Sequence, residues 1–189
     1  MVRYSLVNYT GIFPFDEAGN GVYYNLSYGL TLSRSSTDQP YYPRRGSDIS
    51  VGVKLTPPYS LFNKKTAEEY SKMSSNEKYK WIEYHKWDIR AAWYQQLVGD
   101  LVVMVRARYG FLGAYNTNLG VTPFERFFLG GDGMSSYSNF DGREIIGFRG
   151  YQNETLTPNY YYDDDTGGTI YNKNTVELRY PLSLNPSAT

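Results

Sequence analysis

The sequence predicts an all-β fold, namely about six strands of a larger antiparallel transmembrane β-barrel, with one long loop that plugs the lumen. Three observations lead to this prediction. Long segments alternate between apolar and polar residues, 21 tyrosines and 18 glycines occur without any cysteine, and long connections alternate with shorter ones. Outer-membrane barrels combine these three features.

Six segments show the period-two alternation of strands that bury one face. They span residues 2–10, 21–35, 48–57, 80–98, 101–115 and 170–183. One face is apolar with aromatic residues such as Trp87 and Trp93, and the other holds small polar residues and charges such as Arg106. Several segments reach the about 9–11 residues that a tilted membrane-spanning strand requires. We therefore expect the apolar face to contact lipid, with a soluble antiparallel sheet as the alternative.

The connections between these segments alternate in length. A tight turn, Val98-Gly99-Asp100, joins strands four and five, whereas residues 116–169 form one very long loop. This alternation predicts long loops outside the cell and short turns in the periplasm. The charged connection after strand three predicts a short helix at residues 66–73. Because six strands cannot close a barrel whose bacterial minimum is about eight, and both ends of the sequence look cut, we expect a piece of a longer protein.

Composition excludes several function classes. The 19 basic and 19 acidic residues balance, which gives no electrostatic basis for nucleic-acid binding. The lack of cysteine excludes disulfides and thiolate metal sites, and the single histidine, His85, excludes a His-rich metal site. Alternation already accounts for His85, so we expect no catalytic triad, no cofactor, no metal and no enzymatic activity. No apolar run of about 18 residues predicts a transmembrane helix.

Three short motifs suggest other functions only weakly. The aspartates at residues 163–165 offer carboxylate oxygens to calcium, but their spacing is not that of an EF-hand. Glu144 and Glu154 are conceivable glycosidase acids, but nothing in the sequence fixes their separation. The basic stretch YPRRG, residues 42–46, fits a plain turn, a contact with membrane headgroups or a contact with a partner.

The stretch GREIIGFRGY sets one arginine, Arg149, between bulky and small residues of the long loop. Gly147 and Gly150 remove side-chain bulk, so that the backbone can approach the barrel wall. Phe148 and Tyr151 can pack on neighbouring groups and exclude water. These residues predict a structured loop tip that presents one cation.

Glu177 is the predicted partner of this cation. It lies on the inward face of the strand that returns from the same loop, and a carboxylate can accept two parallel hydrogen bonds from the planar fork of Arg149. We predict that this ion pair anchors the loop to the inner barrel wall. The alternative is that Arg149 is a solvated loop cation.

The motifs of the loop and of the segments around it resemble those of the BamA/TamA-type outer-membrane assembly proteins, the bacterial surface antigen family. The resemblance spans residues 20–182. FRGY is similar to the family's loop-tip motif, and PFERFFLGGDG, with Gly130 and Gly131, is similar to the approach to that tip. YYPRRGSDISVGVKLTPP and NTVELRYPL resemble the strands on either side of the outer loops. One departure is that the family also uses an acidic residue one strand further on, which would lie beyond Thr189.

This resemblance implies a barrel of about 16 strands in the outer membrane of a Gram-negative bacterium. It also implies POTRA domains and closing strands that this chain does not contain. The implied function is the folding and insertion of nascent outer-membrane β-barrel proteins into the lipid bilayer, with accessory outer-membrane lipoproteins as partners and without a cofactor. A TamA-like or two-partner-secretion transport pore of the same fold is the alternative, and a soluble β-sheet binding domain is a more distant one.

Overall fold

The computed structural model of the protein describes residues 2–6, 21–63, 65–133, 144–152, 155–157 and 167–181. The described residues are mostly strand, with three short helices. In chain order the elements are β1 (Val2–Leu6), β2 (Gly21–Asn25), β3 (Tyr28–Ser35), β4 (Gly46–Leu55), α1 (Tyr59–Asn63), α2 (Ala67–Lys72), α3 (Ser75–Lys78), β5 (His85–Val98), β6 (Leu101–Gly113), β7 (Phe127–Leu129), β8 (Glu144–Ile146) and β9 (Ile170–Arg179).

The main feature is a five-stranded antiparallel sheet in the order β3-β4-β5-β6-β9. Sequence neighbours pair along this sheet until β9, which returns from the long loop to lie beside β6. This arrangement confirms the predicted fold class, an all-β segment of an antiparallel barrel. No helix among the described residues is long and apolar enough to cross a membrane.

Two short sheets accompany the main one, and they change the strand bounds given by alternation. β1 and β2 form an antiparallel pair, with Tyr4 opposite Tyr23. The single strand predicted over residues 21–35 is therefore two strands, β2 and β3, in different sheets. The other edge of β2 pairs with the chain before β5, where Tyr24 donates to the Lys80 carbonyl at 2.8 Å and accepts from Ile82 at 3.0 Å. Alternation runs unbroken through such a change of partner, so it could not reveal the break.

The chain divides into two units. The first comprises residues 1–29, 54–86 and 111–171. Its core combines aromatic and aliphatic side chains from strands and from the long loop, namely Tyr23, Ile82, Tyr84, Leu112, Phe124, Phe127, Ile146 and Tyr171. Phe127 packs edge-on against Tyr171, with ring centroids 4.7 Å apart. The described part of the loop is thus a folded element with its own short parallel sheet, β7 and β8.

The second unit comprises residues 30–53, 87–110 and 172–189. Its apolar face is exposed, as at Val51, Trp93, Val105 and Leu178. Along β9, exposed residues alternate with half-buried ones from Asn174 onward. Exposed apolar stripes of this kind agree with a face that contacts lipid.

A capping box fixes the start of the predicted surface helix. Thr66 accepts a hydrogen bond from the Glu69 amide, and the Glu69 carboxylate accepts from the Thr66 amide. These two bonds satisfy amides that the first helical turn leaves unpaired. The predicted helix over residues 66–73 is therefore confirmed as α2, with Thr66 and Met73 as its caps.

Candidate functional site: a buried ion cluster and the loop tip

The long loop places Glu125 in the first unit between two core aromatics. Phe124 and Phe127 are fully buried on either side of it. The Arg126 guanidinium donates back to the Thr122 carbonyl at 2.9 Å, which closes a tight turn. Glu125 itself has a φ of +63°, a conformation that L residues other than glycine seldom adopt. The turn therefore directs an acidic side chain inward where alternation alone would not place one.

Glu125 accepts hydrogen bonds from three side chains of the strand segments. Lys54 Nζ lies 2.8 Å from Oε1, and Asn25 Nδ2 lies 3.2 Å from the same oxygen. Lys86 Nζ lies 3.2 Å from Oε2 and also donates to the Glu125 carbonyl at 2.8 Å. Lys86 further binds Glu144 Oε2 at 2.6 Å. We call Lys54, Lys86, Glu125 and Glu144 the ion cluster.

The ion cluster is neutral, and its two central residues are buried. The side chains of Lys86 and Glu125 are only 9% and 11% exposed, whereas those of Lys54 and Glu144 are 40% and 33% exposed. Two lysines balance two glutamates, so no net charge is buried. The Lys86 ammonium also lies 4.7 Å from the centroid of the Phe127 ring, a contact that adds cation–π attraction. The cluster thus joins β4 and the start of β5 to two parts of the long loop, the turn at Glu125 and β8.

The charges around Glu125 lower the pKa of its carboxyl group, although burial acts in the opposite direction. Burial by itself raises the pKa of this carboxyl, because it disfavours the charged form. Lys86 and Lys54, through their charge and their hydrogen bonds, outweigh burial and lower the pKa below its ordinary value. Glu125 is therefore ionised at neutral pH.

Acid is expected to weaken this anchor. Because the pKa of Glu125 is lowered in the folded state, the unfolded chain binds the proton first as the pH falls. The contribution of Glu125 to the free energy of unfolding is therefore complete above the ordinary glutamate pKa of about 4.3. It is lost as the pH falls through the lower pKa of the folded state. Thermal unfolding in detergent micelles, followed by circular dichroism from pH 7 to pH 3, should show this loss. Glu125→Gln should be less stable at pH 7 and should lose less stability on acidification. If both proteins lose the same stability as the pH falls, Glu125 is not the group that causes the loss.

The loop-tip motif forms a tight turn. Tyr151 donates its amide to the Phe148 carbonyl at 3.2 Å, so Arg149 and Gly150 occupy the two central positions. Gly150 has a φ of +90°, as the third residue of a type II turn requires. The Phe148 and Tyr151 rings meet nearly perpendicularly, with centroids 5.4 Å apart. Arg149 is exposed at the tip of this turn.

Glycines allow this turn to pack against the chain that leads into it. Phe148 donates to the Gly131 carbonyl at 2.8 Å, and Gly131 donates to the Tyr151 carbonyl at 3.0 Å. Gly130, with a φ of +134°, donates to the Ile146 carbonyl at 3.0 Å. A Cβ at Gly147 would lie 2.8 Å from the backbone of Asp132 and Gly133. The pair Gly130-Gly131 and the turn at Arg149-Gly150 therefore face each other and are joined by backbone hydrogen bonds.

Glu177 belongs to the second unit, where its neighbour on the same strand face is Arg179. Arg179 Nε and Nη2 donate to Glu177 Oε2 at 3.1 and 2.9 Å, and both side chains are partly exposed. Arg149 belongs to the first unit. The pairing of Arg149 with Glu177 therefore stays a prediction.

The other candidates of the sequence have ordinary surroundings or lie outside the described residues. His85 packs against the rings of Phe111 and Tyr115, with centroids 5.6 and 5.4 Å away. Glu144, a conceivable glycosidase acid, belongs to the ion cluster. Glu154 and the aspartates at residues 163–165 are outside the described part of the chain. Within that part, no group of three metal-ligating side chains occurs.

Sequence reasoning missed the ion cluster, although it left two signals. Lys54 stands on the polar face of an otherwise apolar strand, opposite Val53 and Leu55. Glu125 stands among aromatic residues in PFERFF, which is an unfavourable place for a charge unless it has a partner. Charged residues in apolar stretches indicate pairs, but only the fold shows which residues meet.

Comparison with protein families adds the wider context. Residues 3–189, nearly the whole chain, match the Omp85 superfamily domain. A comparison with curated proteins gives no match. Proteins of this superfamily are associated with the outer membrane of Gram-negative bacteria, where they act in protein insertion or transport without enzymatic chemistry. The five-stranded sheet, the exposed apolar face and this match together show that the chain belongs to the Omp85 superfamily.

Proposed function

We propose that this chain forms the loop-bearing wall of an outer-membrane β-barrel assembly factor. The observation that carries the proposal is the ion cluster, in which the loop residue Glu125 is held by Lys54 and Lys86. A loop bound in this way stiffens the strands from which Lys54 and Lys86 project. A barrel that adds client strands where two of its own neighbouring strands pair weakly needs its other strands to stay paired.

The proposed activity uses backbone pairing and not chemistry. An unpaired strand edge presents amide and carbonyl groups to which an incoming strand can add. Nascent outer-membrane β-barrel proteins are the proposed clients, and accessory outer-membrane lipoproteins and the lipid bilayer are the proposed partners. This chain would supply the rigid wall, and no cofactor is required.

The loop tip is the second proposed anchor of the same wall. We place Arg149 against Glu177, because the turn presents a guanidinium at its tip and Glu177 lies on the half-buried face of β9. Arg179 already donates to one oxygen of Glu177, and the other oxygen can still accept. A pair shielded from water loses about 3–5 kcal/mol when one partner is removed, whereas an exposed pair loses about 0–1 kcal/mol.

A charge swap tests this anchor. Arg149→Glu and Glu177→Arg, each alone, should slow insertion of a client barrel into proteoliposomes that contain the protein, because each variant sets like charges together. The double variant should recover most of the rate. Arg179→Gln is the matched control, since it removes the neighbouring cation and leaves the proposed pair intact. If the double variant is no better than the singles, Arg149 and Glu177 do not form a pair.

A transport pore is the second candidate, and it is favoured by the cations on the inward face. Arg106 and Arg108 on β6 and Lys173 on β9 are half-buried on the polar face of the sheet. Arg108 Nε is buried and has no hydrogen-bond partner among the described residues. Planar-bilayer conductance separates the two functions. A transporter should conduct with anion preference, whereas an assembly factor with a bound loop should remain mostly closed.

A further inference from the structure

The turn between β3 and β4 carries the most exposed aromatic pair of the second unit. Tyr41 and Tyr42 are each 82% exposed. Two arginines, Arg44 and Arg45, follow them directly, and Arg34 lies near the end of β3. We call residues 34–45 the Tyr–Arg turn.

The Tyr–Arg turn is an ordered structure. Asp38 Oδ1 accepts from the amides of Arg44 and Arg45 at 2.9 and 3.3 Å, and the Asp38 amide donates to the Arg45 carbonyl at 3.2 Å. Gln39 Nε2 donates to the Tyr42 carbonyl at 2.7 Å. Tyr42 has a φ of +51°, which a bulky residue rarely adopts. These bonds hold two large rings in water, and burial of the rings elsewhere would recover their hydrophobic free energy.

The charges of the turn are not all balanced. Arg44 pairs with Asp100 of the turn between β5 and β6, at 3.0 Å. Among the described residues, neither Arg34 nor Arg45 forms an ion pair. Asp38 directs its Oδ1 to the backbone amides of Arg44 and Arg45 and not to a guanidinium group. The turn therefore presents two exposed cations that are available to an anionic partner from outside the unit.

Arg34 follows an apolar stripe along β3. On β3, Leu30, Leu32 and Arg34 fall at alternate positions and so point to the same side of the sheet. Leu30 and Leu32 are exposed, and they continue the apolar face that we expect to contact lipid. Arg34 therefore lies at the end of the exposed apolar stripe of β3, where the strand leads into the turn.

We propose that the Tyr–Arg turn binds the phosphate groups of anionic phospholipids at the leaflet surface where β3 ends and β4 begins. A guanidinium takes a phosphate through two parallel hydrogen bonds. Tyrosine rings lie favourably at a membrane surface, with the ring near the acyl chains and the hydroxyl group in water. Arg34 and Arg45 would hold the phosphate, and Tyr41 and Tyr42 would insert beside it.

A lipid fits these observations better than a protein partner does. Of the two arginines that lack an acidic neighbour, Arg34 shares the register of Leu30 and Leu32, and the aromatic pair belongs to the turn that joins β3 to β4. A protein-binding turn would need no continuity with the apolar stripe of Leu30 and Leu32. Anionic headgroups also attract basic residues at the surface by about fivefold per arginine, the equivalent of about 1 kcal/mol.

The absence of cysteine from the chain gives a direct test. Tyr41→Cys, labelled with an environment-sensitive fluorophore, reports on the tip of the turn in the reconstituted protein. Glu68→Cys on the exposed helix α2 is the matched control. Quenching is measured with headgroup-labelled phosphatidylglycerol, with headgroup-labelled phosphatidylcholine and with aqueous iodide. Circular dichroism establishes that each variant is folded.

The label at position 41 should be quenched by lipid more strongly than the label at position 68, and several-fold more by phosphatidylglycerol than by phosphatidylcholine. Arg34→Gln with Arg45→Gln should bring the ratio of the two lipids close to one. Quenching by iodide alone at position 41 would place the turn in water and would favour a protein partner. A lipid ratio unchanged by the two glutamines would also overturn the proposal. The assay does not involve client insertion, so its result is independent of the proposed function.

Discussion

Replacing Glu125 with alanine is expected to lower the free energy of unfolding by about 3 kcal/mol, the lower end of the range for breaking a buried ion pair. The change removes the acceptor of three donors, Lys54, Lys86 and Asn25. Lys86 is buried and keeps only Glu144 and the backbone carbonyl of residue 125 as acceptors among the described residues. Lys54 is partly exposed and can turn toward solvent. Denaturant unfolding of the reconstituted protein measures the loss.

Two further variants separate the charge effect from the general cost of truncation. Glu144→Ala removes a more exposed partner of the same lysine, and we expect a loss of about 1 kcal/mol, near the value for exposed pairs. The double variant Lys86→Met with Glu125→Met replaces the buried pair by apolar groups of similar size. Such replacements are often neutral or stabilising, so the double variant should be more stable than Glu125→Ala. A double variant that is less stable than Glu125→Ala would show that packing, and not charge pairing, governs this site.

Replacing Gly147 with alanine is expected to separate the loop tip from the segment that it faces, residues 131–133. The added Cβ would lie 2.8 Å from the Asp132 carbonyl oxygen and 2.8 Å from the Gly133 amide nitrogen. Both contacts are with backbone atoms, which cannot rotate away as a side chain can. We expect a cost of about 3 kcal/mol, at the upper end for overpacking. Hydrogen–deuterium exchange of the Phe148 and Gly131 amides should accelerate, because these amides pair the two segments.

Gly150 provides a matched control in the same turn. A Cβ at Gly150 meets nothing within 4 Å, so alanine there is opposed only by the φ of +90°. That strain costs about 1–2 kcal/mol. Gly150→Ala should therefore weaken the turn less than Gly147→Ala does. Equal exchange rates in the two variants would show that the close backbone approach at Gly147 is not what fixes the loop tip.

Alternation predicted the strand bounds best where a segment stays in one sheet along its whole length. β5, β6 and β9 lie within the predicted segments and end at most a few residues from the predicted bounds. Residues 21–35 behaved differently, because β2 and β3 belong to separate sheets while the pattern continues through both. The long loop also showed no periodicity, yet Phe124, Phe127 and Ile146 pack into the core of the first unit. Periodicity reports which face is buried, and it does not report the partner that buries it.

The sequence by itself determined the fold class, the exposed apolar stripe and the loop-tip motif, because alternation and glycine spacing are local properties of the chain. The tertiary structure alone decided that Glu125 meets Lys54 and Lys86. These residues are far apart in sequence, and the left-handed turn at Glu125 is needed to direct the carboxylate inward. Buried charges are stable only in pairs, and pairs between distant segments form only when the fold brings those segments together.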